Sequence, residues 1–324
     1  MILVSWNVRA LVLDALRTLT ADLAQSGLTA EIWVVDNASN DGTPDAIHAE
    51  FPHVRLIASE INLGFAAGNN FVLRMLGFHD TPAPAPSAPR AIFLLNCDTR
   101  VLTGAVRTLF DTLMARPDAG IVGARLEYDD GSFQDGAFAA PGLAQLIIDL
   151  FPLGWLPRPI YGRLYRSRPN GRYPRARYDA GRAFPVGHTL GATMLMRREA
   201  IEQTGLFDEQ FFMYCEEIDW SLRIREAGWQ IYCQPNARVV HLSGQSTSQI
   251  RTESLINLWR SRLRLYDKHY LPPERWLARR LVWLGATLRL WTARYVPDDR
   301  RGAYLSLYRA VRALLLEKKL DRTD

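Results

Sequence analysis

At 324 residues, with 48% apolar and 23% charged side chains, the chain has the composition of a globular protein, one extended α/β domain with an appendage or two modest domains. Lys and Arg number 39 against 34 Asp and Glu, a net charge of +5 that leaves a phosphorylated substrate, an anionic membrane surface and nucleic acid all open as partners. Cys97, Cys215 and Cys233 are too few and too scattered for a disulfide framework or a zinc site, which points to a reducing compartment. The chain enters an apolar stretch at Ile2 with no charged leader. No apolar run reaches the roughly 18 residues needed to span a bilayer. A cytoplasmic protein is expected, free or peripheral on the inner face of the cytoplasmic membrane.

Ile2 to Ser5 reads as a strand that stops at Trp6-Asn7. Val12, Leu16, Leu19 and Leu23 then recur at three- and four-residue steps, which predicts a helix over Leu11 to Leu23. Glu31 to Val35 is a second strand, ending in Asp36-Asn37-Ala38-Ser39-Asn40-Asp41-Gly42, with Thr43 as N-cap and Pro44 first in the helix that follows. Val54 to Ala58 is a third strand, followed by Asn62-Leu63-Gly64-Phe65 and a helix through Leu76. Asp80 to Pro89, with Pro82, Pro84, Pro86 and Pro89, predicts a surface insertion. Ile92 to Leu95 is a fourth strand, broken off by Asn96-Cys97-Asp98.

Strands alternating with helices predict a doubly wound, mostly parallel α/β sheet. The polar clusters at Asn7, Asp36, Asn62 and Asp98 all follow strand ends, so they fall on one sheet edge, where ligands of such sheets bind. Asp98 either bridges a hard divalent cation to a diphosphate or simply opens a turn. Neither a Gly-x-Gly-x-x-Gly after the first strand nor a Walker lysine loop is present, which argues against a dinucleotide oxidoreductase and a P-loop NTPase.

Ala105 to Met114 reads as a helix, Ala119 to Val122 as a short strand and Asp129-Asp130-Gly131 as a turn. Gln145 to Leu156 is largely apolar, and Arg158 to Arg182 sets eight arginines against Asp179, with Tyr161, Tyr165, Tyr173 and Tyr178 interleaved. That run reads as a solvated loop or as an acceptor-side lid touching phosphate or lipid headgroups; no nucleic-acid-binding signature accompanies it. Thr193 to Met196 is a strand and Arg198 to Gly205 a helix. Glu216, Glu217 and Asp219 crowd the start of the next helix, more carboxylates than capping needs. Ile231 to Cys233 and Ala237 to Val240 read as two strands, with His241 just beyond the second, either structural or a phosphate or metal contact. From Arg251 the pattern is helical, and Trp276 to Tyr295 carries Trp and Leu on one side with arginines on the other, a pattern that suits packing, a second subunit or an anionic membrane surface.

In this order the motifs resemble the inverting family 2 glycosyltransferases of the GT-A fold, and among them the rhamnosyltransferase-like enzymes of bacterial cell-surface polysaccharide assembly. The resemblance covers about Ile2 to Ser248. It rests on Val4-Ser5-Trp6-Asn7, on Val35 to Thr43, on Asn62 to Asn70, on Leu95-Asn96-Cys97-Asp98 in the place of the DXD-like metal motif, on Phe212 to Arg223, and on His241 to Ser246. Asn96 stands where an acid is usual, and Glu217 where Asp is usual.

The resemblance implies a catalytic domain over 1–250, its nucleotide half at about 1–124 and its acceptor half at about 125–250, with an amphipathic helical region over 251–324. It implies nucleotide contacts from Ser5, Asn7, Asp36, Asn62, Gly68, Asn96 and Cys97, and Mg²⁺ or Mn²⁺ on Asp98 and His241. Glu217, or else Glu216, is the implied base, with Asp219 orienting base or acceptor and Trp220 forming a sugar-facing wall. The implied partners are a dTDP- or UDP-sugar donor, plausibly dTDP-rhamnose, a glycan or polyprenyl-linked acceptor, a membrane surface and a second copy of the chain, without nucleic acid. Three other readings compete, one of them a basic membrane or nucleic-acid adaptor whose binding would survive loss of Asp98. A processive polysaccharide synthase would need spanning helices and Gln-x-x-Arg-Trp, whereas Pro272 stands in the Gln position before Arg275-Trp276. A non-catalytic sugar-nucleotide or glycan-binding module would bind donor without transferring it.

Overall fold

A computed structural model of the chain describes residues 1–151, 157–242 and 251–316. Its strands are β1 (Ile2–Ser5), β2 (Trp33–Asn37), β3 (Arg55–Ser59), β4 (Ala91–Leu95), β5 (Thr99–Val101), β6 (Ala119–Glu127), β7 (Phe133–Gln134), β8 (Ala137–Phe138), β9 (Phe184–Val186), β10 (His188–Thr189), β11 (Thr193–Arg197) and β12 (Gln230–His241). Its helices are α1 (Arg9–Ser26), α2 (Thr43–Glu50), α3 (Gly64–Met75), α4 (Ala105–Ala115), α5 (Leu143–Leu150), α6 (Arg158–Tyr165), α7 (Arg175–Asp179), α8 (Arg198–Thr204), α9 (Glu216–Glu226), α10 (Arg251–His269), α11 (Pro272–Thr292) and α12 (Asp298–Leu314).

The main sheet runs β3-β2-β1-β4-β11-β6-β12-β5, with β7 added to β6 and β9 to β12. β3, β2, β1 and β4 are mutually parallel, as are β6 and β12, and β11 lies antiparallel between β4 and β6. The apolar stripes of α1, α2 and α4, including Leu16, Ile47 and Leu109, cover one face of the sheet. Leu73 of α3, Ile201 of α8 and Ile224 of α9 cover the other. The crossovers therefore change face between β1 and β4, and parallel strands open a crevice at such a point.

The mixed, mostly parallel sheet agrees with the sequence. Three local differences have physical reasons. Ile231–Cys233 and Ala237–Val240 belong to one strand, because a bulge between Gln234 and Arg238 absorbs Pro235 without ending the ladder. β6 continues to Glu127, because Arg125 and Arg238 neutralise that buried carboxylate. The cap of α2 is Gly42 rather than Thr43; Gly42 has φ of 78°, and Asp41 accepts the Thr43 N–H at 3.1 Å. The proline-rich insertion is tied down, since Ala83 and Ala85 donate to the Glu202 carbonyl and carboxylate.

The chain divides into two compact units. The described residues of 1–140, 173–212 and 216–242 form the first, and those of 141–172, 213–215 and 251–316 the second. The helical region expected from 251 onward thus also takes in 141–172. The reason is the apolar face of α5, whose Leu146 and Leu150 pack with Trp259, Leu263, Val282 and Val311.

Asn70 fastens α3 to the segment leading into α9. Its amide donates to the Phe207 carbonyl and to Glu209, both at 2.9 Å, and its oxygen accepts the Phe207 N–H at 3.1 Å. Asn70→Ala leaves buried backbone groups unpaired. A loss of about 2–3 kcal/mol is expected, seen as a lower urea midpoint at unchanged slope.

Candidate active site

Three loops at the carboxyl ends of parallel strands build one rim of the first unit. Ser5 and Asp36 are paired in the β1–β2 register, and both are buried. Asp36 accepts the Ser39 N–H at 2.9 Å through one oxygen. Its other oxygen, the Ser5 hydroxyl and the Asn37 side-chain oxygen are buried with no hydrogen-bond partner among the described residues. Three such atoms at adjacent strand ends suit a polar ligand that completes them. Asn7 staples the two loops, accepting the Asn40 N–H and donating its own backbone N–H to the Ser39 hydroxyl, both at 2.8 Å. Among the described residues the non-glycine positions with positive φ are Asn7 (52°), Ala38 (59°), Tyr214 (69°) and Cys215 (65°). Two therefore lie in these loops and two just before α9, and a strained backbone of this kind gathers at working sites.

At the end of β4 the Asn96 N–H donates to the Ala192 carbonyl at 3.1 Å, and the Thr99 hydroxyl donates to the Asn96 carbonyl at 2.6 Å. Asp98, 7% exposed, faces His241, with Nε2 3.4 Å from its carboxylate. The Nδ1 of His241 meets the Gln134 side-chain oxygen at 3.0 Å. An amide oxygen only accepts, so Nδ1 donates to it. A carboxylate and an imidazole nitrogen at this separation make a donor set that suits a divalent ion. Among the described residues no group of three or more His, Cys, Asp or Glu converges for a metal. The remainder of the expected C-terminal loop, Gly244 to Ser246, lies outside the described residues.

The acidic cluster stands on the first turn of α9. A Cβ placed on Gly191 would lie 3.8 Å from the Glu217 Cβ and 3.5 Å from the Phe65 ring. Gly191 precedes Ala192, whose carbonyl holds Asn96, so β4's end and Glu217 both lie close to one segment. Glu216 is buried, with one oxygen unpartnered. Burial first, and then the Glu217 charge, push its carboxyl well above the usual range. Burial pushes half-buried Glu217 up to about 7. Among the described residues no cation forms an ion pair with either.

Five expected contacts take other roles. Trp220 is 0% exposed, tilted against Phe207 with centroids 4.2 Å apart and donating to the Thr204 hydroxyl at 3.0 Å, so it has no surface to offer a sugar. Asp219, also 0% exposed, accepts from Arg223 at 2.9 Å, while Arg223 also donates to the carbonyls of Thr204 and Leu206. It clamps the turn after α8. The Cys97 side chain belongs to the core under α1 and α4. Gly68 serves helix-to-sheet closeness, since a Cβ there would meet Val4 at 3.2 Å. Asn62 is exposed and accepts the Gly64 N–H at 2.9 Å, which shapes its own turn.

Sequence reasoning missed Gly64, Asn37, Gln134 and Gly191. Gly64, with φ of 80°, would place a Cβ 2.5 Å from the Phe212 carbonyl, and its own carbonyl accepts from Asn37 at 3.1 Å. It joins the β2 loop, the start of α3 and the approach to α9. A glycine immediately after an Asx turn and opening a helix was the available signal.

The chain also resembles known proteins. Residues 2–205 match the family described as Glycosyl transferase family 2. An N-acetylglucosaminyl-diphospho-decaprenol L-rhamnosyltransferase of Mycobacterium tuberculosis is 31% identical over 255 residues, 76% of this chain and 79% of that one. Two solved structures share the GT-A fold. A mannosyltransferase of Pyrobaculum calidifontis in complex with GDP-Man and Mn²⁺ has a TM-score of 0.50 at 16% identity over 99% of this chain and 86% of that one. GalNAc-T7 with UDP, GalNAc and Mn²⁺ has a TM-score of 0.53 at 15% identity, over 98% and 55%.

Two outcomes test the geometry. Gly64→Ala, strained at its φ and blocked by the Phe212 carbonyl, is expected to cost about 2 kcal/mol or more of stability, read as a lower melting temperature. A carboxyl whose folded pKa is raised binds its proton more tightly folded than unfolded. Glu217 should therefore make the protein lose stability as pH rises from 4.5 towards about 7. Glu217→Gln should flatten that decline when denaturant midpoints are compared across the window.

Proposed function

Because the chain belongs to glycosyl transferase family 2, we propose that this rim binds a nucleotide-diphosphate sugar and passes the sugar, with inversion, to a hydroxyl of a glycan or lipid-linked acceptor. The observation that supports the reading is the Gly191–Ala192 segment, whose Ala192 carbonyl accepts the Asn96 N–H and whose Gly191 lies close to Glu217, a carboxylate of raised pKa, near the strand end that carries Asp98. The mycobacterial relative, named for L-rhamnose and a diphospho-decaprenol acceptor, supports rhamnose as the sugar and a polyprenyl-linked acceptor. dTDP-rhamnose is the donor favoured by that resemblance, and a UDP-sugar is the alternative.

Asp36 and Ser5 take the base of the nucleotide through the oxygens that the chain leaves unpartnered. Asp98 and His241 hold Mg²⁺ or Mn²⁺, which when bound supplies positive charge for the departing diphosphate. Both structural neighbours contain Mn²⁺. Glu217 accepts the proton of the acceptor hydroxyl as its oxygen bonds to the anomeric carbon, on the face opposite the leaving group. The bond from that carbon to the diphosphate oxygen breaks, and the nucleotide diphosphate leaves with the electron pair. Glu216, buried more deeply, stays protonated beside it, since two adjacent carboxylates in a dry site do not both ionise readily.

Asp98→Ala and Glu217→Ala, made separately, are each expected to lower transfer by about 100-fold or more with the fold retained. Chelation should abolish transfer and added Mn²⁺ restore it. Near-normal turnover in both variants would overturn the assignment, and full activity after chelation would remove the metal from it.

A further inference from the structure

The second unit presents a helix whose bulk faces outward. Along α11, Trp276, Arg280, Trp283, Leu284 and Trp291 fall within roughly a third of the helix circumference. The three tryptophans are 61%, 44% and 61% exposed and Leu284 50%. The opposite face is buried and made of Ala278, Val282, Gly285 and Ala286. These small residues allow close packing; a Cβ on Gly285 would lie 3.0 Å from the Leu150 Cβ. A helix that meets water normally turns its large apolar residues inward, and α11 does the reverse.

Each outward tryptophan carries a guanidinium. Arg280 lies over Trp276 at 5.5 Å, Arg312 of α12 over Trp283 at 5.7 Å, and Arg294 over Trp291 at 4.3 Å. The one acid of α11, Glu274, is turned back to the Leu271 N–H at its own amino end. The face therefore combines indole rings with positive charge, and α11 itself adds no carboxylate to it. This combination suits the boundary between acyl chains and anionic headgroups, where indole sits at the interface and arginine meets phosphate. Among the described residues no helix is long and apolar enough to cross a membrane.

We propose that α11 docks the protein flat onto an anionic lipid bilayer through Trp276, Trp283 and Trp291. A lipid-linked acceptor gives such docking a purpose under the proposed function, but the inference stands on the helix alone. Its test needs neither donor nor turnover, so either reading can fail without the other.

The full chain is sedimented with phosphatidylcholine vesicles with and without phosphatidylglycerol, beside the Trp276→Ser/Trp283→Ser/Trp291→Ser variant checked for native circular dichroism. Wild type should pellet with the anionic vesicles, and the variant or the neutral vesicles should show binding at least about tenfold weaker. Independently of any variant, acyl-chain-brominated anionic vesicles should quench wild-type tryptophan fluorescence. Wild type that stays in the supernatant, a variant that pellets equally, or no quenching would overturn the proposal. So would a wild-type dimer that ignores vesicles and becomes monomeric in the variant, since the stripe would then join two copies of the chain.

Discussion

One antiparallel strand holds the candidate site together. β11 is paired with β4 along five residues and with β6 on its other side, so it cannot shift without breaking two ladders. Its approach, Gly191–Ala192, hydrogen-bonds the end of β4 and passes close to Glu217. The spacing between the strand-end residues 96–98 and the α9 carboxylates is thus set by a sheet rather than by mobile loops. Catalytic groups need such support, because small displacements at a reacting centre cost large factors in rate.

Around that strand the protein concentrates features that are unfavourable elsewhere. Two adjacent glutamates are desolvated, and three side-chain oxygens at strand ends lack partners among the described residues. The positive end of α9 offsets part of the cost of its acidic first turn. Asp219 and Arg223 fix the turn after α8, and Trp220 fills the core beneath, so the residues beside Glu217 act by holding α9 in place. Apolar packing on both sheet faces stabilises the whole against these local penalties.

The parallel sheet was legible because β1 to β4 are apolar runs with polar ends, and the same ends drew attention to Asn7, Asp36, Asn62 and Asp98. Periodicity could not show which way a single side chain turns. Trp220 next to an acidic motif reads as a ligand wall, yet its ring is consumed by Phe207 and Thr204. Gly68 and Cys97 lie inside motif segments but face the core. Contacts across long sequence separations were also hidden. Gln134 meets His241 107 residues away, and α5 joins helices more than 100 residues downstream. The arginine-rich run mixed two environments, since Tyr173 and Tyr178 are buried in the first unit whereas Tyr161 and Tyr165 are exposed in the second.

The central claim is that Glu217 must be ionised to accept the acceptor's proton. The most direct measurement is the pH dependence of kcat at saturating donor, acceptor and Mn²⁺. A base whose carboxyl is pushed up to about 7 gives a rate that climbs through neutral pH and levels above it. A rate that is flat from about pH 5 to about pH 8, or that falls across this range, would contradict that role for Glu217.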